Sequence, residues 1–174
     1  MSMSSPRLTA TSFVVLGLLD RLEPATPYDL KRAAQLGVGN LWSLPHAQLY
    51  VEPARLAAAG FLHEEREEGG RHRKRYTLTD EGRRTLEEWR KTPTAEMTEL
   101  RDAGLLKLFF GAPRGPLARA QLAAHRAQLE SYERRRVAAG NGLPVGVRLV
   151  LEAGIDHERQ WTRFWARVAK EAER

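Results

Sequence analysis

The sequence predicts a mainly α-helical protein with one small β-hairpin, divided into an N-terminal domain (residues 1–92) and a helical C-terminal domain (residues 93–174). Three observations lead to this prediction. Apolar residues recur at helical spacing in seven stretches. A Gly-Gly pair separates two short strand-like stretches, and a Thr-Pro-Thr-Ala segment interrupts the pattern between the fourth and fifth helices.

The first two helices are predicted from an apolar run and from a capping signal. Residues 8–19 are rich in Val and Leu, and Pro24 cannot continue a helix, so we expect a largely buried helix before it. Thr26 followed by Pro27 is typical of a helix N-cap and of the first helical position. A turn at residues 37–40 ends the second helix.

A third helix is predicted over residues 45–59, with Gly60 as its C-terminal stop. Leu49 and Leu56 are seven residues apart, so they share one apolar face. This face should pack on the core, which leaves the polar residues of the helix to point elsewhere.

A β-hairpin is predicted from residues 61–68 and 71–78, which flank the Gly-Gly turn. Thr79 then has the character of an N-cap for a fourth helix. The order of three helices, a strand, a turn and a strand is that of a winged helix, a helix-turn-helix motif followed by a β-hairpin.

Three further helices are predicted over residues 98–110, 117–137 and 145–171. The first is more apolar than an exposed helix would tolerate, and three aromatic residues of the last fall at i, i+3 and i+4 on one face. Two interpretations stay open, a dimer core and the wall of a pocket for a flat ligand. The candidate side chains for either are Leu105, Phe109, Phe110, Trp161, Phe164 and Trp165.

Composition excludes several classes of protein. Without cysteine there is no disulfide, thiolate metal site or Cys nucleophile. Ser43 and Ser131 lie in no nucleophile-elbow pattern, and no phosphate-binding glycine loop or HExxH motif occurs. His125 and His157 lack carboxylates at metal-ligand spacing. We therefore expect no catalytic residue, no metal and no cofactor.

The apolar run at residues 8–19 is too short to span a bilayer and has no cleavage pattern, so a cytoplasmic protein is expected. The formal net charge is +6 and the pI about 10.0, which favours a polyanionic partner.

Double-stranded DNA is the partner that the local clusters indicate. In the third helix, His46, Gln48 and Tyr50 are candidates for base or phosphate contacts, and Arg55 suits a phosphate. Ser43, just before this helix, is a further candidate DNA contact. The alternatives are that Tyr50 packs under the wing, that Gln48 is an idle surface residue, and that Arg55 pairs with Glu52 at i−3.

The returning strand of the hairpin carries the densest positive charge. Four cations directly follow the Gly-Gly turn: Arg71, Arg73, Lys74 and Arg75. They can meet the DNA backbone or the minor groove. The alternative is that they pair across the hairpin with the acidic residues of the first strand, in exposed ion pairs that each contribute about 0–1 kcal/mol.

Short fragments along nearly the whole chain follow one another in the order of a known family: Val15-Leu16-Gly17-Leu18-Leu19, Pro27-Tyr28-Asp29-Leu30, Trp42, Gln48-Leu49-Tyr50, Arg55-Leu56, Ala59-Gly60-Phe61-Leu62, Arg75-Tyr76-Thr77-Leu78-Thr79, Gly82-Arg83, Leu105-Leu106-Lys107-Leu108-Phe109-Phe110-Gly111 and Gly154-Ile155-Asp156-His157-Glu158. They give the chain a resemblance to the PadR family of bacterial transcriptional regulators. It implies a repressor that dimerises through its C-terminal helices on a palindromic operator. In some members a small aromatic effector releases the DNA.

Two departures from the family pattern affect the third helix. Pro45 stands where the family often has a capping serine, and Ser43 offers the only nearby hydroxyl. Glu52 and Pro53 add a negative charge and remove an amide donor to Leu49. The competing function is a winged helix that binds another protein, which would leave the arginine cluster of the hairpin unexplained.

Overall fold

The computed structural model describes residues 7–38, 42, 45, 47–66, 73–97 and 99–174. The chain forms two compact units, Met1–Glu96 and Met97–Arg174. In chain order the described elements are α1 (Ala10–Leu22), α2 (Pro27–Leu36), α3 (Gln48–Ala58), β1 (Leu62–Arg66), β2 (Lys74–Leu78), α4 (Asp80–Lys91), α5 (Ala103–Phe109), α6 (Arg114–Ala139) and α7 (Val145–Ala172). The predicted class, mainly α with a small β-hairpin, is confirmed.

Helix α1 begins two residues later and ends three residues later than predicted. Thr9 and Ser12 form a capping box, in which each side chain accepts a hydrogen bond from the other residue's backbone amide, so the helix starts after Thr9. The charged residues after Leu19 are compatible with a helix, and Pro24 is the first residue that cannot continue it. The predicted Thr26 cap of α2 is present and also forms a capping box, with Asp29.

Helix α3 is shorter than predicted because its first turn is not α-helical. The amide of Gln48 donates to the carbonyl of Pro45 at 2.9 Å, three residues back, and the helix proper starts at Gln48. It runs through the buried ring of Pro53 and ends at Ala58. Gly60 follows with φ of 84°, the left-handed conformation expected of a glycine stop.

The two strands pair antiparallel, with Leu62 opposite Leu78 and Arg66 opposite Lys74. Residues 67–72, which include the predicted Gly-Gly turn, lie outside the described part of the chain. The hairpin is joined to the segment before α2 by two backbone hydrogen bonds between Ala25 and Tyr76, of 3.1 and 2.9 Å. These bonds fix the base of the wing to the helical part of the unit.

Helix α4 starts where the backbone passes very close to the end of α3. Thr79 caps the helix by accepting from the amide of Gly82 at 3.0 Å, and its hydroxyl donates to the carbonyl of Gly60 at 2.8 Å. A Cβ atom at Gly82 would lie 2.2 Å from the carbonyl oxygen of Phe61, so only glycine fits there without a backbone shift.

The far end of α4 returns to α1. The rings of Phe13 and Trp89 stack with centroids 4.8 Å apart, and Arg90 donates to Asp20 at 2.7 Å. Together with the buried leucines of α1, α2 and α3, these contacts enclose one hydrophobic core in the N-terminal unit.

The C-terminal unit is built on the pairing of the long helices α6 and α7, whose buried core holds Ala118, Trp165 and Val168. Helix α5 is shorter than predicted because Asp102 caps it, accepting from the amide of Leu105 at 2.8 Å. Helix α6 begins three residues earlier than predicted, since Pro116 is tolerated in a first turn, whose amides need no intrahelical acceptor.

We predict opposite effects for two glycine-to-alanine substitutions in the N-terminal unit. Gly82→Ala should lower the free energy of unfolding by about 1–3 kcal/mol, because its methyl group would overlap the Phe61 carbonyl. Gly17→Ala lies inside α1 with no heavy atom within 4 Å of the added carbon, so it should stabilise by about 0.5–1 kcal/mol. Urea unfolding measures both. A Gly82→Ala variant as stable as the parent chain would contradict the close approach.

Candidate nucleic-acid interface

The outward side of α3 is defined by what the helix buries. Leu49, Pro53 and Leu56 are buried in the core of the N-terminal unit. Gln48 is exposed, and Tyr50 and Val51 keep 46% and 66% of their surface accessible. Tyr50 therefore does not have the burial expected of a side chain packed under the wing. The helix presents an amide, a phenol and a small apolar group to solvent within its first turn.

The side chain of Gln48 is held by α1. The hydroxyl of Thr11 donates to Oε1 of Gln48 at 3.0 Å, across 37 residues of sequence. This bond orients the amide, so Gln48 is not an unconstrained surface residue. In the part of the chain that the structure describes, no second hydrogen bond engages this side chain, so both amide hydrogens and one carbonyl lone pair can bind a ligand.

Arg55 takes part in a network that joins α3 to α1. Its guanidinium donates to both carboxylate oxygens of Glu52, at 2.6 and 2.9 Å, and to Oγ of Ser12 at 3.1 Å. The fully buried Ser12 in turn donates to Glu52 at 2.6 Å. The ion pair weighed against a phosphate contact is thus present, and Arg55 as a DNA contact stays a prediction.

The negative charge of Glu52 is turned toward the unit rather than toward a partner. Its side chain is only 12% exposed. Burial opposes ionisation, but the hydrogen bonds from Arg55 and Ser12 outweigh burial and hold the pKa of the Glu52 carboxyl below its ordinary value of 4.5. Glu52 therefore adds no free negative charge to the exposed side of α3.

The wing divides its cations between two environments. Lys74 forms an ion pair with Glu64 at 2.8 Å, across the hairpin. Arg73 and Arg75 are exposed, on the side where their charges reach Asp29 at the start of α2. The hydrogen bonds of Asp29 with Thr26, followed by these two positive charges, hold the pKa of Asp29 below its ordinary value.

Glu64 also anchors the buried ring of Tyr76 on β2. The phenol of Tyr76 donates to Glu64 at 2.9 Å, and burial together with this bond raises the pKa of Tyr76 to about 12. The hydrogen bond from Lys74 holds the pKa of Glu64 below its ordinary value. The wing thus has an inward polar anchor and an outward arginine side.

Three of the predicted contact residues, Ser43, His46 and Arg71, lie outside the described part of the chain. Gln48, Tyr50, Arg73 and Arg75 are exposed in the N-terminal unit. Lys74 and Arg55 form ion pairs within that unit. The N-terminal unit thus exposes residues of both α3 and the wing, as a surface that binds a nucleic acid would require.

The aromatic residues of the C-terminal unit fall into two groups. Phe109 and Phe110 at the end of α5 are 81% and 77% exposed and touch each other edge to face. Trp165 is fully buried between helices of the same chain, so it is part of the core of one protomer. Trp161 and Phe164 are half-buried against that core, as is Leu105 on α5.

His125 and Glu158 form a polar pair beside Trp161 that the sequence pattern did not predict. Nδ1 of His125 lies 2.6 Å from a carboxylate oxygen of Glu158, and the His125 ring stacks on Trp161. The two residues are 33 positions apart, and only the pairing of α6 with α7 brings them together. In the described part of the chain, no three His, Cys, Asp or Glu side chains group in a way that could hold a metal ion.

Comparison with known protein families gives two matches, one in each half of the chain. Residues 15–88 match the transcriptional regulator PadR-like family, and residues 100–173 match the family described as virulence activator alpha C-term. The N-terminal part of the chain is thus similar to the PadR-like family. The first of these matches covers α1 from Val15 onward, α2, α3, both strands of the hairpin and most of α4.

A curated relative agrees with the match to the PadR-like family. The negative transcriptional regulator PadR of Bacillus subtilis (strain 168) is 33% identical over 102 residues, which are 56% of this chain and 54% of the relative. The chain thus aligns with about half the length of this curated relative.

Two solved structures share the fold. Bacillus subtilis PadR in complex with operator DNA superposes with a TM-score of 0.82 at 24% identity, covering 94% of this chain and 99% of that one. The same protein in complex with p-coumaric acid gives a TM-score of 0.77 at 23% identity, covering 95% and 100%.

The Glu52 network predicts a pH-dependent contribution to stability. Glu52→Gln should lower the free energy of unfolding at pH 7 by about 1–3 kcal/mol, since it weakens a partly buried, charge-assisted set of hydrogen bonds. Because the folded-state pKa lies below 4.5, this contribution is present above pH 4.5 and is lost as the pH falls through the folded-state value.

The measurement is urea unfolding of the parent chain and of the variant between pH 7 and pH 3. The difference between them should shrink on acidification. Glu87→Gln, which removes an exposed carboxylate paired with Lys91 on α4, is the control and should have a much smaller effect at every pH. A Glu52→Gln difference that is constant over this range would refute the network.

Proposed function

We propose that this chain is a sequence-specific, non-enzymatic DNA-binding transcriptional regulator. It acts as a repressor that binds a palindromic operator as a homodimer, and a small aromatic molecule releases it from DNA. Residues 1–92 contact DNA and residues 93–174 provide the dimer. The match of residues 15–88 to the transcriptional regulator PadR-like family supports the regulatory role, and the 33% identical relative is itself a negative regulator.

The observation that carries the DNA-binding proposal is the arrangement of the N-terminal unit. Leu49 and Leu56 of α3 are buried in its core, while Gln48 and Tyr50 on α3 and Arg73 on the wing remain exposed. A helix that presents an amide near its N-terminal end suits the edges of bases in the major groove. An exposed arginine on the hairpin suits a phosphate or the minor groove.

A homodimer is proposed because one winged helix is too small for tight specific binding. A single module buries about 600–1,000 Å², whereas two modules one helical turn apart bind a palindrome. The C-terminal unit has the apolar surface for such a contact. Phe109 and Phe110 are largely exposed, and Leu106, one turn earlier in the chain, is 59% exposed.

Release by an aromatic molecule is supported by the p-coumaric acid complex of the related fold. In this chain, Trp161 and Phe164 are half-buried and offer flat apolar surfaces. Trp165 lies beneath them, and its buried Nε1 has no hydrogen-bond partner in the described part of the chain.

The proposed role requires access to chromosomal DNA and thus, in a bacterium, a cytoplasmic protein. None of the helices in the described ranges combines the length and the apolar character that crossing a bilayer requires.

Two substitutions should impair DNA binding in different ways. Arg73→Ala should weaken binding to operator and scrambled duplexes alike and reduce the log–log salt slope by about 0.9 if one phosphate contact is lost. Gln48→Ala should leave the slope unchanged and reduce the preference for operator over scrambled DNA, since a good amide–base pair contributes about 1–3 kcal/mol of discrimination.

The measurement is fluorescence anisotropy with a duplex selected by the protein from a randomised pool, at several salt concentrations. Lys74→Ala is the matched control for Arg73→Ala, because Lys74 is already paired with Glu64 and should change the slope less. Equal loss of affinity on both duplexes for Gln48→Ala would sink the base-reading role. Indifference of every variant would favour a protein partner instead.

A further inference from the structure

Val51 is an unusual residue on the outward side of α3. It is 66% exposed and lies one helical turn after Gln48, so the two side chains are neighbours on the surface of the helix. The buried leucines of α3 point to the opposite side. A ligand that lies along this side of α3 can therefore contact both the amide of Gln48 and the methyl groups of Val51.

The amide of Gln48 is oriented before any ligand binds. Thr11 donates its hydroxyl hydrogen to Oε1 of Gln48 at 3.0 Å, which leaves one carbonyl lone pair and both amide hydrogens. Those are the groups that a glutamine uses to pair with N6 and N7 of adenine in the major groove. A side chain already held in one orientation loses less freedom on binding.

The carboxylate nearest to Val51 along the chain is neutralised within the N-terminal unit. Glu52 follows Val51 directly, but its carboxylate is turned to Ser12 and Arg55 and is nearly buried. The surface around Val51 and Gln48 can therefore approach the floor of a groove without carrying the Glu52 charge there. The major-groove edge of DNA bears one apolar group, the C5 methyl of thymine.

We propose that Val51 packs against the C5 methyl of a thymine next to the adenine that Gln48 reads, and that Thr11 positions the Gln48 amide for this reading. The inference rests on the proposed function and adds the identity of two neighbouring bases that α3 contacts, an adenine and a thymine. It makes Val51 a specificity-determining residue and Thr11 a positioning residue.

The test of Val51 removes the methyl group from the DNA. A duplex is first selected by the protein from a randomised pool, and each thymine is then replaced in turn by deoxyuridine. One position in each half-site should weaken binding of the parent protein by about fourfold, the value of one buried methyl group. Val51→Ala should bind the thymine and deoxyuridine duplexes equally at that position.

Val137→Ala is the control variant, because Val137 is a comparably exposed valine on α6. It should keep the full sensitivity to deoxyuridine. The proposal is overturned if the parent protein tolerates deoxyuridine at every position, or if Val51→Ala keeps the parent's sensitivity.

The test of Thr11 separates positioning from folding. Thr11→Val keeps the shape but removes the donor, so preference for adenine over other bases at the Gln48 position should fall several-fold. Thr11→Ser keeps a hydroxyl and should restore that preference. Equal preference in all three proteins would remove Thr11 from the proposal.

Failure of the proposed function would be visible earlier and in another way. In that case the selection would yield no duplex that the parent protein prefers over scrambled DNA. A duplex that is preferred, yet shows no effect of deoxyuridine, would overturn the Val51 contact alone.

Discussion

Leu49, Pro53 and Leu56 are buried against the rest of the N-terminal unit, and the rotation of α3 about its own axis follows from their burial. Turning the helix by half a revolution would expose both leucines, each of which contributes about 1.5–3 kcal/mol through burial. The outward side is therefore fixed by hydrophobic packing alone. Gln48 and Val51 lie on that side because burial of Leu49, Pro53 and Leu56 turns them toward solvent.

Polar contacts then refine what packing has placed. The network of Ser12, Glu52 and Arg55 joins α1 to α3 and neutralises the carboxylate next to the exposed turn. On the hairpin, Glu64 has a similar role, because it forms an ion pair with Lys74 and accepts a hydrogen bond from the phenol of Tyr76. Both carboxylates are thus used inside the unit, and the exposed surface keeps arginine and amide groups that suit an anionic partner.

Much of the fold was predictable because its signals are local. The Thr26 cap, the Gly60 stop and the hydrophobic spacing of α3 each act within a few residues, and the structure contains all three. The partners of Arg55 and Gln48 on α1 were not predictable in full, since Ser12 and Thr11 are 43 and 37 residues away. The same holds for His125 with Glu158, and for the burial of Trp165, whose aromatic spacing looks alike in a core and in an interface.

The most direct test of the account is fluorescence anisotropy of the purified protein with DNA from just upstream of its own gene, compared with a scrambled duplex over a range of salt. The account predicts two protomers per duplex, a clear preference for the upstream DNA and a steep salt dependence from several neutralised phosphates. Weak binding that is equal on both duplexes would contradict the account, because the exposed side of α3 and the wing would then read no sequence.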